Sequence, residues 1–548
     1  MSLVSVMFNK ILIANRGEIA VRIIECAHEL GIKSVAIYST VDQNSIHVLK
    51  ANESYHLEGE SATDTYLNID KIIEAAKATK AEAIHPGYGF LSENYKFAQR
   101  CWDEGIVFIG PHPEAIKKMG DKIESKRLML EAGVPTVPGY DPQGQKMTEE
   151  IVVRESKKIG FPVILKAAAG GGGKGMRVVN DESHVWDAFQ EASREAKSSF
   201  GDDTVFIEKY VDQPRHIEFQ VIGDSFGNVV HLYERECSIQ RRHQKIIEET
   251  PSPALTPELR EKMGEAAVKA AKAINYNNAG TIEFIFDKNN NFYFLEMNTR
   301  LQVEHPITEV VTGFDIVKKM IKVAAGEPLP MKQSDVKQRG HAIECRIYAE
   351  NPDRLEFRPS IGILNAFNLE VAVGVRNDTG FRTGDRVSVH YDPLLAKLIT
   401  SGEDRTDALN KMYWALTNYS VLGVDTNIEF LRDVINHKKF REGAITTHFI
   451  QENFKPDWVS RSKRGLPLEI LIAAILHDKL ASNDLSNNTI ESKKALSPWQ
   501  ILGDWGRENL KRTTSVVERF VEQSEVMIKK IDVPIKSFKK IDKVSGTD

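Results

Sequence analysis

Two acidic residues and an amide occur in a segment whose pattern predicts a β-hairpin. β-Rich runs lie on both sides of an Asn-rich turn, which is predicted to be centred between Asn289 and Asn290. In that register Glu283 lies directly opposite Glu296, and Asn298 points to the same face. Facing carboxylates repel each other unless a cation separates them. Two carboxylates and an amide oxygen therefore predict a Mg²⁺ site for nucleotide phosphates, and a bulge that parts the two charges is the alternative.

A segment of mixed charge follows the hairpin immediately. It contains Arg300, Gln302 and Glu304. The planar guanidinium of Arg300 matches two oxygens of a planar oxyanion. The segment predicts a site for a small planar anion such as bicarbonate beside the metal, with Glu304 as a base.

A glycine-rich segment, 170–176, lies between two predicted strands. Its backbone N–H groups are open to close approach by a phosphate, and Lys174 together with Lys166 at the end of the first strand adds positive charge. The segment is not a Walker A loop, because Ala168 stands where that motif has glycine and Gly175 follows the lysine. The pattern predicts a nucleotide-binding lid, and a flexible linker is the alternative.

The order of the predicted elements indicates an α/β fold with several domains. Residues 1–133 alternate apolar runs with helical periodicity and predict a doubly wound domain, whose first turn lacks the glycine fingerprint of a dinucleotide site. Residues 134–207 predict the lid. Residues 208–455 predict the catalytic core and a mixed α+β C-terminal domain. Residues 456–548 form an extension with one apolar helix candidate at 468–476.

Composition excludes several classes of protein. The chain has 548 residues, is 41% hydrophobic and has a formal net charge of -5, so it lacks the basic excess that nucleic-acid binding requires. The start lacks the pattern of a secretory signal, and the longest apolar run is far below the ~20 residues that span a bilayer, so no membrane is expected. The scattered cysteines predict neither disulfides nor a zinc site, and a cytoplasmic location fits: Cys26, Cys101, Cys237 and Cys345.

Five segments in the same order resemble one known family. They are 11–20, 85–94, the glycine segment, 240–245 and 296–306. From Phe8 to Asn453 the chain is similar to the biotin carboxylase subunit or domain of biotin-dependent acyl-CoA carboxylases and pyruvate carboxylase, which have the ATP-grasp fold. The alternatives are another ATP-grasp ligase, such as a carbamoyl phosphate synthetase or purine carboxylase, and a nonenzymatic scaffold that binds nucleotide.

The resemblance implies a role for each matching position. The implied ATP-binding residues are Lys122, Lys166, Gly171, Gly172, Gly173, Lys174, Gly175, Met176, Glu208, Lys209, Tyr210, Val211, His216, Gln240, His243, Glu283 and Glu296. The implied metal ligands are Glu283, Glu296 and Asn298. The implied bicarbonate site is Lys245, Arg300, Gln302, Val303 and Glu304, and the implied biotin site is Tyr88 and Arg346. The implied catalytic residues are Glu304, Arg346, Lys245 and Arg300.

The resemblance also implies a mechanism and partners. The implied cofactors are ATP, Mg²⁺ with Mn²⁺ as an alternative, and biotin carried on another chain. Glu304 takes the bicarbonate proton, carboxyphosphate forms, and Arg346 stabilises the enolate of biotin. The sequence has no Ala-Met-Lys-Met-like acceptor site, so biotin is expected on a separate biotin carboxyl carrier protein. A carboxyltransferase partner and a homodimer or larger hetero-oligomer are also expected. For residues 456–548 a docking arm for the partner subunits is one expectation, and a partly disordered tail is the alternative.

Overall fold

Three β-sheets of four or more strands form the framework of the part of the chain that the structure describes. The computed structural model describes residues 7–142, 144–167, 176–242, 244–369 and 372–460. Several predicted site residues lie outside these ranges, namely Gly171, Gly172, Gly173, Lys174, Gly175 and His243. The predicted docking arm also lies outside them, apart from its first five residues. The predicted domain boundaries stay predictions.

The N-terminal region is built on a parallel five-stranded sheet of order β3-β2-β1-β4-β5. Its elements are β1 (Lys10–Ile13), α1 (Gly17–Glu29), β2 (Lys33–Ser39), α2 (Ile46–Lys50), β3 (Glu53–Leu57), α3 (Ile69–Thr79), β4 (Ala83–His85), α4 (Tyr95–Asp103), β5 (Val107–Phe108), α5 (Pro113–Gly120) and α6 (Lys122–Glu131). Helix α1 buries Ile19, Ile23 and Ala27 at helical spacing, so its apolar side faces the core. The predicted parallel α/β domain is confirmed.

The lid contains an antiparallel four-stranded sheet of order β6-β9-β7-β8. Its elements are β6 (Gly139–Tyr140), α7 (Glu149–Ile159), β7 (Val163–Ala167), β8 (Met176–Val179), α8 (Val185–Phe200) and β9 (Val205–Lys209). Val163, Leu165 and Ile207 are buried against the two helices. Strands β7 and β8 pair on either side of the glycine-rich segment, as the sequence predicts.

An antiparallel eight-stranded sheet of order β14-β13-β10-β11-β12-β15-β22-β20 supports the remaining described residues, up to residue 460. The elements of its first half are β10 (Arg215–Gly223), β11 (Val229–Arg241), β12 (Gln244–Thr250), α9 (Pro257–Ala273), β13 (Asn278–Phe286), β14 (Phe292–Asn298), α10 (His305–Thr312) and α11 (Ile316–Ala324). The remaining elements are β15 (His341–Tyr348), β16 (Glu350–Asn351), β17 (Arg358–Pro359), β18 (Gly362–Ile363), β19 (Ala366–Leu369), β20 (Val375–Thr379), β21 (Arg386–Val387), β22 (Leu394–Gly402), α12 (Arg405–Thr417), β23 (Tyr419–Leu422), α13 (Ile428–Ile435), α14 (Lys438–Arg441) and α15 (Phe449–Asn453).

The β13–β14 hairpin brings its acids together by a route that differs from the predicted one. Glu283 pairs with Glu296, as predicted, but Phe284 pairs with Phe294. The turn is therefore centred on Asn289, and a β-bulge that leaves Leu295 unpaired restores the register of the two acids. The side chain of Asp287 accepts hydrogen bonds from the backbone N–H groups of Asn289 and Asn291, which closes the turn one half-step earlier than predicted.

The state of the cysteines and the apolar character of the helices bear on two expectations from the sequence. All four cysteines are buried, unpaired thiols. Among the described residues, no helix combines the length and the apolar character needed to cross a bilayer.

Candidate active site

A cleft of about 780 Å³ opens between the lid and the eight-stranded sheet. The predicted nucleotide residues that line it are Lys122, Lys166, Met176, Glu208, Lys209, Tyr210, Val211, His216, Gln240, Glu283 and Glu296. The other predicted residues that line it are Asn298, Lys245, Arg300, Gln302, Val303 and Arg346. Glu304 is fully buried and contacts this lining through its side chain, whereas Tyr88 lies outside the lining.

The hairpin acids form the side of the cleft that suits a divalent cation. The Nε2 atom of His216 lies 2.9 Å from Glu283 Oε2, and Asn298 donates to Glu283 Oε1 at 2.8 Å. Burial raises the pKa of Glu283, but the charges of Lys245 and His216 outweigh it and hold that pKa far below its usual range. The charge of Glu283 in turn raises the pKa of Glu296. Because Glu283 and Glu296 repel each other electrostatically, the pair fits a site for an oxygen-liganded Mg²⁺.

Glu304 is held as a carboxylate between two cations. Lys245 Nζ lies 2.8 Å from Glu304 Oε1, and Arg346 donates to Glu304 Oε2 at 3.0 Å. Burial raises the pKa of Glu304, but the charges of Lys245, Arg346 and Arg235 lower it well below its usual range. The Glu304 side chain is therefore ionised. It becomes able to accept a proton when Lys245 and Arg346 bind another anion and no longer lower its pKa.

The anion segment, residues 300–304, combines an arginine whose donors are paired with one amide donor that has no partner. The Nε atom of Arg300 donates to Glu93 at 2.7 Å, and an Nη2 donor reaches Asn298 Oδ1 at 3.0 Å. Among the described residues, the buried Gln302 Nε2 atom has no hydrogen-bond partner. Because a buried donor without an acceptor is costly, this amide fits a ligand oxygen.

The lid side of the cleft is organised by Glu208. Its two carboxylate oxygens accept from Lys126 at 2.5 Å and from Lys166 at 2.6 Å. Burial raises the pKa of Glu208, and the two lysine charges bring it below its usual value. The side chain of Lys209 points elsewhere and donates to the backbone oxygens of Gly160 and Phe161. The Lys209 backbone N–H donates to Pro138 O at 2.8 Å, and the hinge role that the resemblance implies for this position stays a prediction.

Tyr88 and Arg346, the implied biotin residues, belong to one electrostatic environment. The amide of Asn15 donates to the backbone oxygens of Pro86 and Tyr88, both at 2.7 Å, which fixes the turn that carries the tyrosine. The phenol donates to Glu18. Burial and the charge of Glu18 raise the pKa of Tyr88 well above its usual value, and the charge of Arg346 opposes this. The phenol is therefore neutral.

Glu218 is a buried acid among the site residues that sequence reasoning missed. It is fully buried and lies between Arg235, at 2.6 Å, and Lys245, at 2.5 Å. It pairs directly with Glu283 across strands β10 and β13. His216 and Glu218 alternate along one strand, and that spacing places both on one face; only the partner strand was unknown from sequence. Ligand atoms of His216, Glu218 and Glu283 lie within 4.8 Å of one another, and the Lys245 ammonium lies 2.5 Å from Glu218 and 2.8 Å from Glu283, so the two acids already share a cation.

Three families match consecutive parts of the chain. Residues 7–116 match "Biotin carboxylase, N-terminal domain", residues 121–332 match "Carbamoyl-phosphate synthase L chain, ATP binding domain", and residues 344–452 match "Biotin carboxylase C-terminal domain". A pyruvate carboxylase subunit of Methanothermobacter thermautotrophicus is 53% identical over 499 residues, which cover 91% of this chain and 99% of that protein. The chain belongs to the biotin carboxylase family.

Other relatives of this biotin carboxylase are longer proteins. The mitochondrial alpha subunit of methylcrotonoyl-CoA carboxylase from Rattus norvegicus is 51% identical over 447 residues, which cover 81% of this chain but 62% of that protein. The chain therefore spans about three fifths of the length of such relatives. The biotin carboxylase domain of Hydrogenobacter thermophilus 2-oxoglutarate carboxylase, solved with magnesium ADP and bicarbonate, gives a TM-score of 0.76 at 48% identity and covers 82% of this chain and 98% of that chain.

These matches decide between the ATP-grasp ligases considered from sequence. The carbamoyl-phosphate synthase match is confined to the ATP-binding domain, and a biotin carboxylase domain flanks it on each side. The predicted family and ATP-grasp fold are confirmed, and the chain is an ATP-grasp ligase of the biotin carboxylase type. The roles of individual residues stay predictions.

Proposed function

We propose that this biotin carboxylase uses ATP and bicarbonate to carboxylate N1 of a biotin held by a separate carrier protein. The observation that carries the proposal is the position of Glu304. This carboxylate is held between Lys245 and Arg346, directly beside the acids of the predicted metal site. A base, two anion-binding cations and a cation site within one cleft are the parts that phosphoryl transfer to bicarbonate requires.

The first step joins bicarbonate to the γ-phosphorus of ATP. Bicarbonate binds to Arg300 and to the free amide of Gln302, and it draws the N–H donors of Lys245 and Arg346 away from Glu304. Because those two charges lower the pKa of Glu304, their withdrawal makes the carboxylate more basic. Glu304 then takes the bicarbonate proton, and the anion attacks phosphorus to give carboxyphosphate and ADP.

The nucleotide is held from two sides during this step. Lys166 and the glycine-rich segment bind the phosphates from the lid, while Glu208 positions Lys166. Mg²⁺, or Mn²⁺ in its place, would be held by Glu283, Glu296 and Asn298 and would neutralise phosphate charge. A divalent cation at this position would relieve the repulsion between Glu283 and Glu296, which raises the pKa of Glu296.

The second step transfers the carboxyl group to biotin. Carboxyphosphate breaks down to CO₂ and phosphate, and the phosphate takes the N1 proton of biotin. The Arg346 guanidinium stabilises the enolate oxygen that develops on the ureido ring, and N1 attacks CO₂. Tyr88 forms one wall for the ring. Burial of the site keeps water from CO₂ and carboxyphosphate.

The proposal extends to the assembly. A biotin carboxyl carrier protein and a carboxyltransferase partner would complete an acyl-CoA or pyruvate carboxylase, and both kinds of enzyme occur among the relatives at 51–53% identity. A homodimer or larger hetero-oligomer and a cytoplasmic location form part of the same proposal. Streptavidin binding tests whether the biotin is carried by a separate protein. The purified chain should carry no biotin of its own and should therefore not bind streptavidin.

The decisive assay is ADP release from ATP with bicarbonate, measured with and without free biotin. Biotin should stimulate bicarbonate-dependent ADP release, and labelled bicarbonate should be recovered as carboxybiotin. A Glu304→Gln variant keeps the size of the side chain and removes the base, so it should lose both signals. ADP release that requires bicarbonate but ignores biotin would point to another ATP-grasp ligase and reject the proposal.

A further inference from the structure

Lys397 is a fully buried cation at the back of the active site. Its Nζ atom donates to the backbone oxygen of Val303 at 3.0 Å and lies 3.1 Å from Glu18 Oε2 and 3.8 Å from Asp378 Oδ2. The side chain has no exposed surface. A buried ammonium is tolerated only where fixed partners replace its water, so these contacts define one position for the Lys397 side chain.

The partners of Lys397 belong to two different parts of the proposed active site, the bicarbonate segment and the biotin site. Val303 belongs to the anion segment, next to the base Glu304. Glu18, in the first turn of α1, uses its second oxygen, Oε1, to accept the hydrogen bond from the Tyr88 phenol. The Lys397 Nζ atom also lies 5.9 Å from the centre of the Tyr88 ring. One continuous chain of polar contacts therefore joins the bicarbonate segment to the wall of the biotin site.

The chain of contacts crosses domains that are distant in sequence. Strand β22 supplies Lys397, helix α1 supplies Glu18, and the segment after β14 supplies Val303. Within the described residues, Lys397 also interacts electrostatically with Glu344, a buried carboxyl group that has no hydrogen-bond partner and whose pKa burial raises well above its usual value. The lysine is thus the cation that several buried acids share, and its removal would free Glu18 to change position.

We propose that Lys397 and Glu18 form a positioning pair that holds the Tyr88 phenol at a fixed distance from the bicarbonate segment. This inference rests on the proposed function and assigns two positioning residues to it. The pair acts where CO₂ must pass from the anion site to the ureido ring, so it sets the alignment of biotin with the carboxyl donor. Misplacement by about 1 Å at such a point lowers transfer by up to ~10²-fold.

The test compares two reactions of the same protein. In Lys397→Met, kcat/KM for free biotin in carboxybiotin formation should fall about 10- to 100-fold. The KM for ATP in bicarbonate-dependent ADP release without biotin should stay close to that of the parent, because Lys397 does not line the nucleotide cleft. Glu18→Gln keeps the shape of the side chain and should show the same split. Lys411→Met removes a lysine that pairs with Asp407 on α12 and serves as the matched control.

A double-mutant cycle completes the test. Because Lys397 acts through the phenol, Lys397→Met should cost much less in a Tyr88→Phe background than in the parent. Equal costs in both backgrounds, or a parallel loss of ADP release and biotin carboxylation in Glu18→Gln, would overturn the positioning role. A parent protein that fails to carboxylate biotin would instead overturn the proposed function, so the two failures are distinct.

Discussion

Replacing Arg346 by alanine removes the cation that the proposed mechanism uses last. Its guanidinium donates to Glu248 Oε1 at 2.7 Å and to Glu304 Oε2 at 3.0 Å. Loss of one preorganised donor to a developing oxyanion costs about 10²- to 10³-fold in rate, or about 3–4 kcal/mol. The substitution also leaves two buried carboxylates without this partner, and breaking such a pair costs about 3–5 kcal/mol of folding free energy.

The assay separates these two effects. Formation of labelled carboxybiotin by Arg346→Ala should fall at least ~10²-fold, while the Kd for ATP stays close to that of the parent. Arg346→Lys keeps the charge but not the planar guanidinium, so its rate of carboxybiotin formation should lie between those of the parent and Arg346→Ala. Arg382→Ala, an exposed arginine paired with Asp385, controls for loss of a surface charge. A parental rate of biotin carboxylation in Arg346→Ala would refute the assigned role.

Three further predictions follow from other parts of the structure. Glu296→Gln removes one facing acid, so the Mg²⁺ concentration for half-maximal ADP release should rise about 10-fold, and an unchanged titration would contradict the metal assignment. Glu208→Gln frees Lys166, so the KM for ATP should rise about 10-fold in steady-state kinetics, and an unaltered KM would show that Glu208 does not position it. Burial lowers the pKa of His47 from 6.5 to about 4, so the stability due to its neutral ring is complete above pH 6.5 and is lost as pH falls towards 4. Between pH 7 and 5 the free energy of unfolding should fall about 2 kcal/mol more in the parent than in His47→Leu, and parallel urea curves would refute this.

The hairpin shows how far local sequence reasoning reaches. Strand alternation around the predicted turn places Glu283 opposite Glu296, and the structure has that pair because the earlier turn centre and the bulge at Leu295 compensate each other. The bulge at Leu295 could not be predicted, because it depends on how the Asp287 turn closes and on which phenylalanines pack against the core. The predicted pair was right, whereas the predicted turn centre was wrong by half a residue.

The sequence by itself determined the family and the fold class, and it assigned a chemistry to contiguous segments such as residues 300–304, which stays a prediction. Motifs and strand periodicity are local, and local spacing survives whatever the rest of the chain does. Only the tertiary structure decided that Glu218 pairs with Glu283, and that Lys397 joins Glu18 to Val303. These contacts join residues tens to hundreds of positions apart in the sequence. Which residues meet depends on strand order and domain packing, and neither can be inferred from residue spacing along the chain.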